Sequence, residues 1–246
     1  NYAWTTVVDD DARSYTIDGK TDRTGKDDLS LVYMPMVAVV RRRVTRGTSN
    51  SENQVTAIYK GNTKLVVEID DRWKRPDELP EYSSPSGYSG RGRPRGGMGG
   101  MGGPGGRGPR GTGGSTGGRS TPAFSNLQLT LSRPHEEIAI LVASHTDLKA
   151  DGDAVGGTLS ETGAKLLLVH DGQKEITPLR ASGTFRLWVK DGNLVKYEVK
   201  LEGTLAIAAG GSRREVTVHQ TATTVIKDVG TTTFDVPDEA RKKLGV

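Results

Sequence analysis

GTFRLWVKDGNLVKYEVKL, residues 183–201, decides the fold. Apolar and polar residues alternate on both sides of Asp191-Gly192-Asn193, the period-two signature of an antiparallel hairpin. A three-residue loop, Asp191 to Asn193, pairs Val189 with Val195, Leu187 with Tyr197 and Phe185 with Val199 on one face. Trp188 then meets Lys196, and Arg186 meets Glu198, on the other. Asn193 tolerates the left-handed conformation that the last loop position asks for.

The same logic extends outward. In VTAIYKGNTKLVVEID (55–70) a two-residue loop at Gly61-Asn62 would set Val55 against Glu68 and mix the faces. A three-residue loop, Gly61 to Thr63, pairs Tyr59 with Leu65, Ala57 with Val67 and Val55 with Ile69, and so gives one apolar face. Further strands are expected at Thr204–Ala209, Glu215–Ile226 and Thr231–Val236, and DLKADGDAVGGTLS reads as two short strands around an Asp-Gly turn. Ser132 is placed to cap a helix from Arg133 to His145, with Ile138, Leu141, Val142 and His145 as its apolar stripe. Ser160 caps a second helix, Glu161 to Val169, carrying Ala164, Leu167 and Leu168. Pro237 opens a short terminal helix that Gly245 ends. Strands and helices seldom alternate, which argues against a parallel α/β sheet. The expected class is mainly β (α+β): an antiparallel sheet with a few helices layered on one side.

One segment stands apart. Residues 87 to 118 hold 17 of the chain's 33 glycines. Residues 83–121 therefore read as a flexible Gly/Arg/Pro-rich insert. Neither flank has enough helix to cover its own strands, so 1–246 is expected to be a single domain interrupted by this insert. Lengthening a loop so far costs only about 2 kcal/mol. The sequence pI is about 9.2. The basic character is local: removing the six arginines between Tyr82 and Ser120 takes the net charge from +4 to −2. A nucleic-acid role would rest on the insert alone, and there is no aromatic between Gly90 and Ser120 for bases to stack on. Nucleic acid is not the expected partner.

Nothing in the sequence points to an enzyme. Gly113 to Gly117 matches G-x-S-x-G, and Gly97 to Gly102 matches G-x-G-x-x-G, but neither has the flanking strand and helix its chemistry requires. His135, His145, His170 and His219 fall at no zinc spacing, and there is no cysteine. Asp9-Asp10-Asp11 and Asp151-Gly152-Asp153 read as solvated turns, and Arg41-Arg42-Arg43 as an edge device. No cofactor and no metal are expected. The most apolar run, Leu29 to Val40, is too short for a membrane span. The opening NYAWTTVV reads as the inside of a domain, so a processed or trimmed chain is expected.

FRLWVKDGNLVKYEVKLEG (185–203), TTVIKDVGTTTFDVPDEARKKL (223–244) and TAIYKGNTKLVVEIDDRWKRPDEL (56–79) resemble the hairpins and closing turn of the LolA/LppX-like bacterial envelope proteins, which carry lipoproteins or lipids. The resemblance covers about two-thirds of the chain. It implies a curved, open antiparallel β-barrel (a half-barrel) with helices on its concave face, and a periplasmic or otherwise exported location. It implies an apolar cavity for lipid or lipoprotein acyl chains. The candidate lining is Tyr59, Leu65, Val67, Phe185, Leu187, Val189, Val195, Tyr197 and Val199. The alternative is an envelope interaction protein in which Arg91, Arg93, Arg95, Arg107 and Arg110 contact an envelope protein partner or an anionic polymer.

Overall fold

A computed structural model describes residues 1–11, 13–24, 27–35, 54–61, 64–78, 132–169, 176–209 and 212–246. The chain begins as a meander: β1 (Tyr2–Asp10), β2 (Arg13–Asp22), β3 (Leu29–Pro35), β4 (Gln54–Lys60), β5 (Lys64–Ile69) and the short β6 (Arg72–Lys74). Helix α1 (Pro134–Ser144) leads directly into β7 (His145–Asp151) and β8 (Ala154–Leu159). Helix α2 (Glu161–Leu168), three long strands β9 (Ile176–Lys190), β10 (Asn193–Ala209) and β11 (Ser212–Lys227), and helix α3 (Asp238–Leu244) complete it. The eleven strands of the described residues join one sheet in the order β6-β5-β4-β3-β2-β1-β11-β10-β9-β8-β7. Every pairing is antiparallel, and all join consecutive strands except β1 with β11. The first and last strands thus meet in the middle of the sheet. Its edges, β6 and β7, are not paired with each other, so the barrel is not closed. The mainly β, antiparallel class expected from the sequence is what the structure has, but the helices are not all on one side: α3 packs on the face opposite α1 and α2, where the apolar side chains of β3–β6 need cover.

Alternation gives the sheet two faces. The inner face carries Trp4, Ile17, Val32, Met34, Val55, Ala57, Tyr59 and Val67 in one buried cluster. It carries Phe185, Tyr197, Val199, Leu201 and Leu205 in a second, with Leu141 of α1 and Ala164, Leu167 and Leu168 of α2 packed on them. The outer face of β3–β6 buries Leu31, Ile58, Val66 and Trp73 beneath Val236 and Ala240 and Leu244 of α3. Lys60, Lys64 and Arg75 donate to the last carbonyls of that helix, Gly245, Leu244 and Lys243, at 2.9 to 3.2 Å, which suits the negative end of its dipole. Gly19 lets the Trp4 indole lie across β2: a Cβ there would come within 2.2 Å of the ring.

Several expectations need correction. Tyr59–Leu65 and Ala57–Val67 pair as expected. At the deciding hairpin, however, the loop is two residues, not three. Asp191 and Gly192 take φ of 51° and 76°, and Lys190 pairs with Asn193. Val189 pairs with Leu194, and Val195 is the extra residue of a bulge. Leu187–Tyr197, Phe185–Val199, Trp188–Lys196 and Arg186–Glu198 are then in the expected register. The Asp-Gly turn matches the strand twist better than a wider loop, and the bulge absorbs the surplus residue one step along.

The cap of α1 is Arg133, not Ser132: its N–H donates to Glu136 Oε2 at 2.9 Å. The α1 stripe includes Leu141, fully buried, but Val142 is exposed. The buried side is instead rotated towards Pro134, Ile138 and Leu141. Ser160 caps α2 as expected, accepting from Gly163 N–H at 3.2 Å. Thr231–Val236 is not a strand. A turn with positive φ at Asp228 and Gly230 ends β11, and the N–H and hydroxyl of Thr232 bond back to the Asp228 carbonyl. The insert arginines, Arg41 to Arg43 and His170 lie outside the described residues.

Candidate functional site

The predicted cavity residues divide between two packed clusters. Tyr59 and Val67 are buried in the β1–β5 cluster with Leu65 against them. Phe185, Tyr197 and Val199 are buried in the helix-covered cluster, with Leu187 against it. Val189 is 57% exposed, and Val195 sits half-buried in its bulge. Two open, polar-walled grooves lie on the sheet, one of about 470 Å³ on β9–β11 beside Glu161 of α2 and one of about 450 Å³ on β7–β10, and of the predicted residues only Phe185 lines either.

On the same face runs a polar seam that the sequence reading missed, bordering the β1–β5 cluster and meeting the helix-covered cluster at Tyr197. Pairing registers set Tyr59, Ser30, Thr21 and Tyr2 in one row across β4-β3-β2-β1. A second row holds Tyr197, Thr224 and Thr6 across β10-β11-β1. Thr21 and Ser30 share a hydrogen bond of 3.1 Å, and Thr21 accepts from Trp4 Nε1 at 3.3 Å. Thr6 and Thr224 are bonded at 2.7 Å. Buried hydroxyls are costly unless paired, and these satisfy one another.

The first turn of α1 closes over this seam. Tyr197 donates its hydroxyl to Glu137 Oε2 at 2.5 Å. Arg133, with a side chain only 3% exposed, makes a bidentate ion pair with Glu136 and approaches Asp28 Oδ1 at 3.6 Å. Asp28 also faces Arg23 at 3.6 Å and His135 Nε2 at 3.4 Å. The Tyr2 hydroxyl lies 2.7 Å from His135 Nδ1 and accepts from the His135 backbone N–H at 3.3 Å. The neutral tautomer that satisfies both contacts accepts from Tyr2 at Nδ1 and turns Nε2–H towards Asp28.

Environment separates the titrating groups. Burial pushes the Glu137 carboxyl up to about 7, against the lowering effect of the Tyr197 hydrogen bond. Burial, reinforced by the Glu137 charge, lifts the Tyr197 hydroxyl well above its usual range. Glu136 goes the other way: burial opposes ionisation, but hydrogen bonds and charge from Arg133 hold it below the usual carboxylate value. Burial and the Arg133 charge lower His135, with Asp28 acting against them. The whole forms a latch of one neutral-leaning and several charged contacts, tying α1 to strands from both halves of the chain.

A separate apolar rim lies where the inner face runs out towards β7. Leu148 opposes Gly157, and Val155 opposes Leu187, both on the Phe185 side of the sheet. Leu148, Val155 and Val189 are 49%, 42% and 57% exposed, and half-buried Leu187 and Leu194 connect them to the helix-covered cluster. No helix among the described residues is long and apolar enough to cross a membrane.

No protein-family model, curated protein or solved structure matches this chain.

Proposed function

We propose that this chain is a non-enzymatic carrier of the LolA/LppX-like kind, working in the bacterial cell envelope. It holds an acyl chain of a lipid or lipoprotein between the inner face of a curved, half-barrel sheet and its helices. The observation that carries this reading is the apolar part of the inner face on β8–β10, with Phe185, Leu187, Tyr197 and Val199, which runs out into the exposed rim of Leu148, Val155 and Val189. Opening α1 would extend that rim inward over Leu187, Phe185 and Val199. Each methylene then buried contributes about 0.8 kcal/mol. The polar seam sets a depth limit, because an acyl chain passing it would strip Thr6, Thr224 and Glu137 of partners.

The test is native mass spectrometry of protein purified from a membrane-containing host, followed by organic extraction. A bound species of lipid mass is expected, lost in a variant carrying Val155→Asp and Leu187→Asp. A clean apo mass, together with no uptake of a fluorescent fatty acid by delipidated protein, would overturn it.

A further inference from the structure

We propose that β7 is a self-complementary edge through which two copies of this chain pair, joining their sheets across a twofold axis. This does not depend on the carrier reading. The two edges of the sheet differ. β6 has three residues, and after Arg75 comes Pro76, which has no N–H to offer. β7 has seven residues, all exposed, and among the described residues it pairs only with β8. Its outward backbone groups can be assigned. A two-residue turn at Gly152-Asp153, with Gly152 at φ +65°, makes Asp151 and Ala154 the closing pair of the hairpin. Alternation then directs the N–H and C=O of Asp151 and Lys149 to β8, and those of Ala150 and Leu148 to the open side.

An antiparallel twofold centred on Leu148 uses those groups directly. Leu148 meets Leu148 of the second copy, each donating to and accepting from the other. Ala150 falls opposite Thr146, where the β7–β8 ladder carries a bulge, so the regular pairing runs over Asp147 to Lys149. Asp147 falls opposite Lys149, and Lys149 opposite Asp147. Within one chain these two already form an exposed ion pair of 2.7 Å on one face of the strand. On pairing, each side chain gains an opposite charge across the new ladder, where like charges would repel. Charged side chains usually protect an edge against association; here they are of both signs, in a pattern that its own reverse satisfies. On the other face Leu148, 49% exposed, gains the second Leu148. A contact between two seven-residue strands lies at the small end of stable interfaces, so the dimer is reversible and concentration-dependent.

Sedimentation velocity on the full chain, over a dilution series from micromolar to submillimolar, tests this. The wild type is expected to shift from monomer to dimer. Asp147→Lys leaves two lysines facing two lysines, and Lys149→Asp leaves two aspartates facing two aspartates. Each is expected to weaken self-association by about tenfold or more, from attraction turned to repulsion at both symmetric pairs. Mixing the two variants should restore a heterodimer, which a folding defect could not do. Circular dichroism confirms that each variant is folded. A wild type that stays monomeric throughout overturns the proposal. So does a dimer indifferent to both substitutions, or a mixture that does not recover.

Discussion

Glu136 and Glu137 are neighbours in the first turn of α1, and their surroundings drive them in opposite directions. The Glu137 carboxyl, raised by burial to about 7, prefers to be protonated in the folded chain. Its contribution to stability is therefore fully present below the ordinary carboxylate range and is lost as the pH rises to about 7. Glu136, lowered by Arg133, contributes above that range and loses its contribution on acidification. Glu137→Gln keeps a group able to accept from Tyr197 and removes the titration. Relative to the wild type, it should gain stability on the order of 2 kcal/mol between about pH 5 and about pH 8. Thermal or urea denaturation at several pH values measures this; parallel profiles for the two proteins would refute it. None of this was legible beforehand. A Thr in a strand reads the same whether its neighbour across the ladder is a valine or another hydroxyl. Thr6 and Thr224 meet only because strands more than 200 residues apart in sequence are paired.

At the scale of elements, alternation was enough to fix the local hairpins. Two-residue periodicity placed Phe185, Leu187, Tyr197 and Val199 on one face, and the structure keeps that face. It could not decide where the surplus residue goes, because a wide loop and a tight turn with a bulge leave the same strand in phase. The choice follows from Asp191-Gly192, which takes the positive φ of a tight turn, and from Leu194, which packs against the core in place of the smaller Val195. Helix α1 was found but turned, because its buried side answers to a polar seam as well as to an apolar core. The triple threonine after Gly230 was misread because β-branching favours a strand only where a partner strand is present. The bulge makes a specific prediction. Deleting Val195 leaves every inward residue in phase and should cost about 1 kcal/mol or less. Deleting Lys200, between buried Val199 and Leu201, slips the register and should cost several times as much. Denaturant melts of the two deletions compare them directly, and equal costs would contradict the bulge assignment.

Over the whole molecule, the covalent order and the spatial order are at odds. Residues 1–78 form one wing of the sheet and residues 145–227 the other, and the two wings are zipped together by β1 and β11. Two helices of the C-terminal part also reach across the join. The first turn of α1 contacts Tyr2 and Asp28, and α3 covers Ile58, Val66 and Trp73. Residues 79–131 join the β6 edge to α1 and the β7 edge, and the described pairings of the central ladder are made between strands on either side of them. A break there is expected to sever the polypeptide without parting the fold. The two pieces form a natural split protein: co-expressed segments 1–78 and 132–246 should copurify as a one-to-one complex with the thermal transition of a single cooperative unit. Two pieces that precipitate or elute separately would show that the zipper needs its tether. If they hold, a proteolytic nick in the arginine-rich segment would be silent in every assay except a denaturing gel.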